Sequence, residues 1–327
     1  MNRKVSVAPM MDCTDRHERF FLRLISKNTL LYTEMIVDEA IIRGDKKKLL
    51  DFNINEKPVA LQLGGSSPKL LAEASKVGED FGYDEINLNL GCPSRKVEKN
   101  KFGACLMKEP NLVADCLSKI QSSTKLPVTI KTRIGYDNVE DYETFYNFIL
   151  TLKKTGIKTF IIHARKAMLG KFTPKQNLNI PPLKYDYVYK LKKDFSSDEV
   201  IINGGITSVN EIKSHLDKTD GVMIGRAAYH TPYLLAEIEK DIFNNKNVPS
   251  RQDVIEQLIP YVKNELKKGT RLNQIMRHTL GLFHGQSGAS YWKRYLSENM
   301  CVRNADVQKI DHIMDKIKYN NVERRVG

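Results

Sequence analysis

No two cysteines form a C-x-x-C pair, and the five present (Cys13, Cys92, Cys105, Cys116 and Cys301) are odd in number. A disulfide framework or zinc ribbon is therefore not expected, no metal site is read from the chain, and its compartment reads as reducing. No apolar run reaches 18 residues, and the first 20 residues lack the apolar stretch of a signal peptide, so the reading is of a cytoplasmic chain without membrane insertion. No G-x-G-x-x-G dinucleotide fingerprint occurs either. Acid is the scarcer charge: 39 Asp and Glu stand against 52 Lys and Arg, leaving a formal charge of +13. Such a balance favours a polyanionic partner, nucleic acid or an anionic membrane surface, because each phosphate contact releases condensed counterions.

What is present is a series of short β-branched apolar runs: Val5 to Pro9, Leu30 to Thr33, Pro58 to Leu63, Glu85 to Leu90, Pro127 to Arg133, Thr159 to Arg165, Val200 to Gly205 and Gly221 to Ala227. Each reads as a strand buried on both faces, as in parallel sheets. Between most of them lie amphipathic stretches of helical period, at 15–26, 67–81, 110–122, 139–155, 185–193 and 209–216. Eight β/α units within about 240 residues match a parallel (β/α)8 TIM barrel, with an open doubly wound sheet as the alternative. After Phe243 the polar, proline-containing run NNKNVPSR reads as a linker, so the boundary falls between 244 and 245. Beyond it, Ser250 is placed to cap a helix with Val254, Leu258, Val262 and Leu266 on one face, and Gly269 ends it. A helix from Leu272, another over 291–299, and a fourth bearing Val307, Ile310, Ile313, Met314 and Ile317 complete a small all-α bundle over 245–327.

Active sites of such barrels lie at the C-terminal strand ends. There the sequence delivers Pro9, Met10 and Met11, then Gln62, then Asn87 and Asn89 with Gly91-Cys92-Pro93, and then Lys131 and Arg133. His163 and Arg165, Asn203-Gly204-Gly205, and Gly225-Arg226 follow. Taken singly, N-G-G reads as a tight turn and G-R as a chance pair. At adjacent strand ends seven and eight they read as a phosphate cradle, to which Arg226 adds a charge-assisted bond. Lys131 is suited to negative charge developing on a reduced ring. A lone cysteine is ordinarily inert core, but Cys92 sits in a loop held by Gly and Pro, on the rim shared by Lys131 and His163. A thiol there can act as a general acid. His163 reads as a donor to cofactor or substrate.

These segments resemble the tRNA-dihydrouridine synthases, most closely their A subfamily. The matching stretches are VAPMMDCTDRH from Val7, LYTEM from Leu31, ALQLGG from Ala60, EINLNLGCPS from Glu85, FGACLM from Phe102 and VTIKTRIG from Val128. IIHAR from Ile161, NIPPLKYDYVY from Asn179, INGGI from Ile202, GVMIGRAAY from Gly221 and GLFHGQSGASYWKRYLSE from Gly281 continue the match nearly end to end. The sequence departs from the subfamily at Cys13, where an aromatic is usual, and near Leu178, where a basic residue is usual.

The resemblance implies that 1–244 is an FMN-binding catalytic barrel and that 245–327 is a tRNA-binding helical domain. NADPH would reduce the flavin, hydride would pass to C6 of a D-loop uracil, and the Cys92 thiol would protonate C5. It places flavin contacts at Pro9, Met10, Met11, Gln62, Lys131, His163, Asn203, Gly204, Gly205, Gly225 and Arg226. Asn89 would face uracil and flavin, with Arg133 nearby. The target base must leave the RNA stack, so the protein must grip the RNA body. The stretch 266–297 carries Lys267, Lys268, Arg271, Arg277, Lys293 and Arg294 and no acidic residue, interleaved with Phe283, Tyr291, Trp292 and Tyr295. It reads as an RNA surface or as a solvated helix face over packed aromatics. Arg95, Lys96 and Lys175 near the barrel mouth are further tRNA candidates, and a monomer is expected. A flavin reductase of a small pyrimidine, as in dihydroorotate dehydrogenase, and a non-catalytic tRNA-binding protein are the alternatives. The basic tail disfavours the first, and bound flavin would disfavour the second.

Overall fold

The computed structural model describes residues 1–302, 305–308, 310 and 313. Eight strands form one all-parallel sheet: β1 Val5–Val7, β2 Leu31–Val37, β3 Val59–Gly64, β4 Glu85–Leu90, β5 Val128–Arg133, β6 Thr159–His163, β7 Glu199–Asn203 and β8 Gly221–Ile224. From β2 to β8 each strand pairs with the next in sequence, and β8 pairs with β1. The remaining seam closes where Leu30 bridges Ser6, with the Val7 amide donating to the Leu30 carbonyl at 2.9 Å. The sheet is therefore a TIM barrel, and the open-sheet alternative falls away.

Continuous apolar runs became strands because both faces are covered, one by the outer helices and one by the barrel interior. Inside, Tyr32, Ile161, Ile201 and Met223 interleave with the small Ala8 and Ala60, which lets opposite strands fill the lumen. β2 continues past the expected Thr33 to Val37, with a register irregularity between Tyr32 and Met35. The polar Glu34 interrupts the apolar pattern there while the ladder continues around it. Two short helices, Asp38–Arg43 and Lys46–Leu50, follow where no element was expected. A local signal does correspond to its element where Ser67 caps the helix Pro68–Phe81, with proline in its first turn.

The chain divides into two compact units, Met1–Thr14 with Thr29–Gly225, and Asp15–Asn28 with Arg226–Gly327. This division differs from the expected break at 244/245. Within the second unit the helix Arg16–Ile25, which strand–helix alternation assigns to the barrel, packs on the helix Arg251–Lys267, and Phe20 stacks on Tyr261 with ring centroids 3.9 Å apart. The helices Arg226–His230 and Leu234–Asp241 belong to the same unit. Aromatic and ionic contacts, rather than chain continuity, make that grouping. Ser250 caps Arg251–Lys267 in a reciprocal capping box with Asp253, and Leu272–Met276 and Ala289–Asn299 follow. Val307, Ile310 and Ile313 are buried, while Met314 and Ile317 lie outside the described residues. Among the described residues, no helix is long and apolar enough to cross a membrane.

Candidate active site

The loop leaving β4 is held from three directions. Asn89, on the last inward position of the strand, accepts the backbone N–H groups of Gly91 and Cys92 through Oδ1 at 3.1 and 3.0 Å. Arg133, at the end of β5, donates Nε to the Gly91 carbonyl at 2.8 Å. The Ala104 amide donates to the Cys92 carbonyl at 3.0 Å. Gly103, at a φ of +74°, permits this approach, since a Cβ there would lie 2.7 Å from the Cys92 carbonyl oxygen. The thiol is half-buried, and burial pushes its pKa up against the opposing influence of the Ser94 N–H, Arg133 and Lys131. Cys92 is therefore a protonated thiol at neutral pH, suited to giving a proton rather than to nucleophilic attack.

On the adjoining strands, Lys131 donates Nζ to Asn203 Oδ1 at 3.2 Å, and Asn203 donates Nδ2 to the Met223 carbonyl at 2.7 Å. Burial, helped by the neighbouring Arg133 charge and opposed by Cys92, pushes Lys131 down to about 7. Among the described residues no carboxylate pairs with this amine, so an anionic or electron-rich ligand is its natural complement. Gln62 donates Nε2 to Asn87 at 2.7 Å and accepts from Asn89 Nδ2 at 2.8 Å.

The turn after β7 places Gly204 and Gly205 at φ of +122° and +72°, a region costly for any residue with a side chain. A Cβ on Gly204 would stand 2.9 Å from the His163 ring, so the backbone already lies against the imidazole. Tyr185 donates its hydroxyl to the Gly204 carbonyl at 2.6 Å and pins this turn. A backbone held in this conformation, without side chains of its own, fits a phosphate approaching closely.

The remaining expected residues divide into those at the strand ends and those elsewhere. Pro9 and Met10 are half-buried after β1, and Met11 is largely exposed. Met10 Sδ would lie 3.6 Å from a Cβ on Gly225, which brings these two strand ends together. Arg226 opens the short helix Arg226–His230 as the first residue of the second unit's longer segment. Arg133, expected beside the substrate, is buried and gives its guanidinium to three carbonyls: Gly91, Lys166 at 3.1 Å and Asn177 at 3.2 Å. Asn177 in turn ties the carbonyls of Met168, Phe172 and Thr173. Arg133 thus joins the cysteine loop to the 166–177 loop.

Arg95, Lys96 and Lys175 are exposed on the first unit. On the second, Lys293 and Arg294 are exposed, whereas Arg277 is bound to Asp15 at 2.7 Å. Phe283 and Trp292 are core residues, with ring centroids 4.9 Å apart and the indole N–H donated to the Thr279 carbonyl. They belong to the packed-aromatics reading of that stretch. Sequence reasoning missed Thr129, Tyr185 and Asn177. For Thr129 the available signal was its place as a polar residue amid the apolar run of β5. Among the described residues, no cluster of three or more His, Cys, Asp or Glu could hold a metal ion.

The family model described as Dihydrouridine synthase matches residues 6–318. Three curated relatives named tRNA-dihydrouridine(20/20a) synthase align over nearly their full lengths. The Synechocystis protein is 51% identical over 97% of this chain and 96% of its own. That of Vibrio cholerae is 49% identical over 98% of each, and that of Escherichia coli K12 is 50% identical over 95% of this chain and 90% of its own.

Proposed function

Because the chain belongs to the dihydrouridine synthase family, we propose that it reduces the C5–C6 double bond of D-loop uridines in tRNA, at positions 20 and 20a as its relatives' names state, with FMN as cofactor and NADPH as reductant. The observation that carries this reading is a protonated Cys92 on a fixed loop, on the same rim as the half-buried Lys131 and the Gly204-Gly205 turn. A flavin held there and reduced by NADPH would supply the hydride that adds at C6 of the uracil. Cys92 Sγ gives its proton to C5, which leaves a thiolate that solvent reprotonates and 5,6-dihydrouridine as product.

Lys131, Gln62 and His163 suit the polar edge of an isoalloxazine. Asn203 orients Lys131, and Gly204, Gly205 and Gly225 leave room for the ribityl phosphate. Pro9, Met10 and Met11 offer an apolar seat for the ring, and Asn89 offers an amide to flavin or uracil. The charge of +13 and the exposed Arg95, Lys96 and Lys175 suit the tRNA backbone, as do Lys293 and Arg294 on the helical unit.

The purified protein should be yellow, release FMN on heating, and with NADPH add two mass units to uridines of an unmodified tRNA transcript. A colourless protein that binds tRNA, or a yellow one that reduces only free pyrimidines, would sink the proposal. Tyr185→Phe removes one hydrogen bond from the Gly204 turn. Fluorescence titration should then show FMN held roughly two- to tenfold more weakly, the usual net value of one such bond.

A further inference from the structure

Glu85 opens β4 and is fully buried. Arg3 places Nε and Nη2 on its Oε2, each at 2.7 Å, and also pairs with Glu199 at 2.9 Å. Its Oε1 accepts the hydroxyls of Tyr32 at 2.7 Å and Thr129 at 2.6 Å. Thr129 has thereby spent its only hydrogen, so its oxygen accepts Asn87 Nδ2 at 2.8 Å. That turns Asn87 Oδ1 toward Gln62, which donates Nε2 at 2.7 Å. Gln62 Oε1 then accepts Asn89 Nδ2 at 2.8 Å, and Asn89 Oδ1 receives the N–H groups of Gly91 and Cys92.

The two ends of this chain admit no choice. A carboxylate paired with a guanidinium only accepts, and a backbone amide only donates. Both ends therefore impose the same direction on every link, and each of the three side-chain amides has one orientation that satisfies both neighbours. Reversing any amide sets oxygen against oxygen on one side and NH2 against a donor on the other. Such a buried mismatch is costly, while the aligned chain polarises itself favourably.

Each amide uses one N–H within the chain and keeps a second. At Gln62, and at Asn89 one inward step nearer the mouth, the group left for a ligand is thus a donor. The carbonyl oxygens of a flavin or uracil ring match it. We infer that Thr129 and Asn87 are positioning residues that pass the direction set by Glu85 to Gln62 and Asn89. These amides then present N–H to the ligand while Asn89 Oδ1 holds the Cys92 loop. The inference deepens the function proposed above and rests on it for the identity of the ligand.

The test uses the full-length flavoprotein. Thr129→Val keeps the side-chain shape and removes both donor and acceptor, which cuts the chain from Glu85 and leaves the buried Asn87 Nδ2 without the acceptor that anchors it. FMN affinity should fall about tenfold, and iodoacetamide should alkylate Cys92, followed by peptide mass spectrometry, about tenfold faster. Thr129→Ser should restore both to within about twofold, since it returns the hydroxyl. Tyr32→Phe takes another donor from the same Glu85 oxygen but lies outside the chain. It should lower thermal stability and move neither readout.

Wild-type affinity and alkylation in folded Thr129→Val would overturn the inference, as would equal changes in Tyr32→Phe. If Thr129→Val does not fold, Thr129→Ala carries the same expectation with less steric demand. Should the wild-type protein bind no FMN, the proposed function fails, and the Cys92 alkylation comparison still decides whether the chain holds that loop.

Discussion

Replacing Cys92 by alanine should lower dihydrouridine formation by about a thousandfold while leaving FMN bound, the loss expected when a positioned general acid is removed. The loop should survive the change because its supports act on main-chain atoms. Asn89 holds the Gly91 and Cys92 amides, Arg133 the Gly91 carbonyl, and Ala104 the Cys92 carbonyl. In a stopped-flow experiment the flavin should still bleach with NADPH at the wild-type rate, and its reoxidation by tRNA should be lost. Reoxidation at the wild-type rate would remove Cys92 from the mechanism. Burial holds the thiol above its ordinary range, so the proton-donating form persists through neutral pH. Activity should decline only on the alkaline side, as that proton is lost.

The second large effect is expected in the helical unit. Asp15 caps the helix Arg16–Ile25 by accepting the N–H groups of His17 and Glu18 at 2.9 and 3.0 Å. It also holds Arg277 at 2.7 Å and His278 at 3.0 Å. On its other side, His278 Nδ1 lies 3.0 Å from Glu18 Oε2, a close ion pair rather than an aligned hydrogen bond. Burial alone would depress His278, but Asp15 and Glu18 outweigh it and raise the imidazole to about 9. Burial likewise raises Glu18 to about 7, against the pull of His278.

Asp15→Ala removes a cap and one carboxylate of a buried cluster together. Stability should fall by about 3 kcal/mol, within the range for breaking buried pairs, as read by urea denaturation. The pH dependence follows from the raised imidazole. Its contribution is complete below the ordinary histidine value of 6.5 and is lost as pH rises through about 9. Glu18, also raised, acts in the same direction from its ordinary 4.5 up to about 7. Denaturant midpoints should therefore drop between pH 6 and pH 9, and His278→Gln should flatten the upper part of that drop. A variant that loses as much stability as the wild type over this interval would show that His278 is not its source.

Much of the barrel was legible because a strand covered on both faces needs apolar residues at nearly every position. Such runs stand out whatever their neighbours are. The strand-end residues were legible for a related reason: barrel topology alone brings Gln62, Asn89, Cys92, Lys131, His163, Asn203 and Gly204 to one rim once the strands are in order. Ser250 announced its cap, since capping is a contact within three residues.

Other features depend on residues distant in sequence. The helix Arg16–Ile25 reads locally like any other barrel helix, and contacts with distant residues such as Tyr261, Glu265 and His278 draw it into the second unit. Trp292 and Phe283 look alike whether they face RNA or a core, until the indole is seen bonded to Thr279. Arg133 reads as a charge for a substrate, yet its guanidinium is given to three loop carbonyls.

Cys92 itself could be named from its short motif. Its protonation and its fixed loop could not, because they arise from Asn89, Arg133 and a hydrogen-bonded chain reaching Glu85 across three strands. Local sequence encodes periodicity, caps and motifs because those are short-range interactions. Burial, pKa and hydrogen-bond direction are properties of the surroundings, and here the closing of the barrel creates those surroundings.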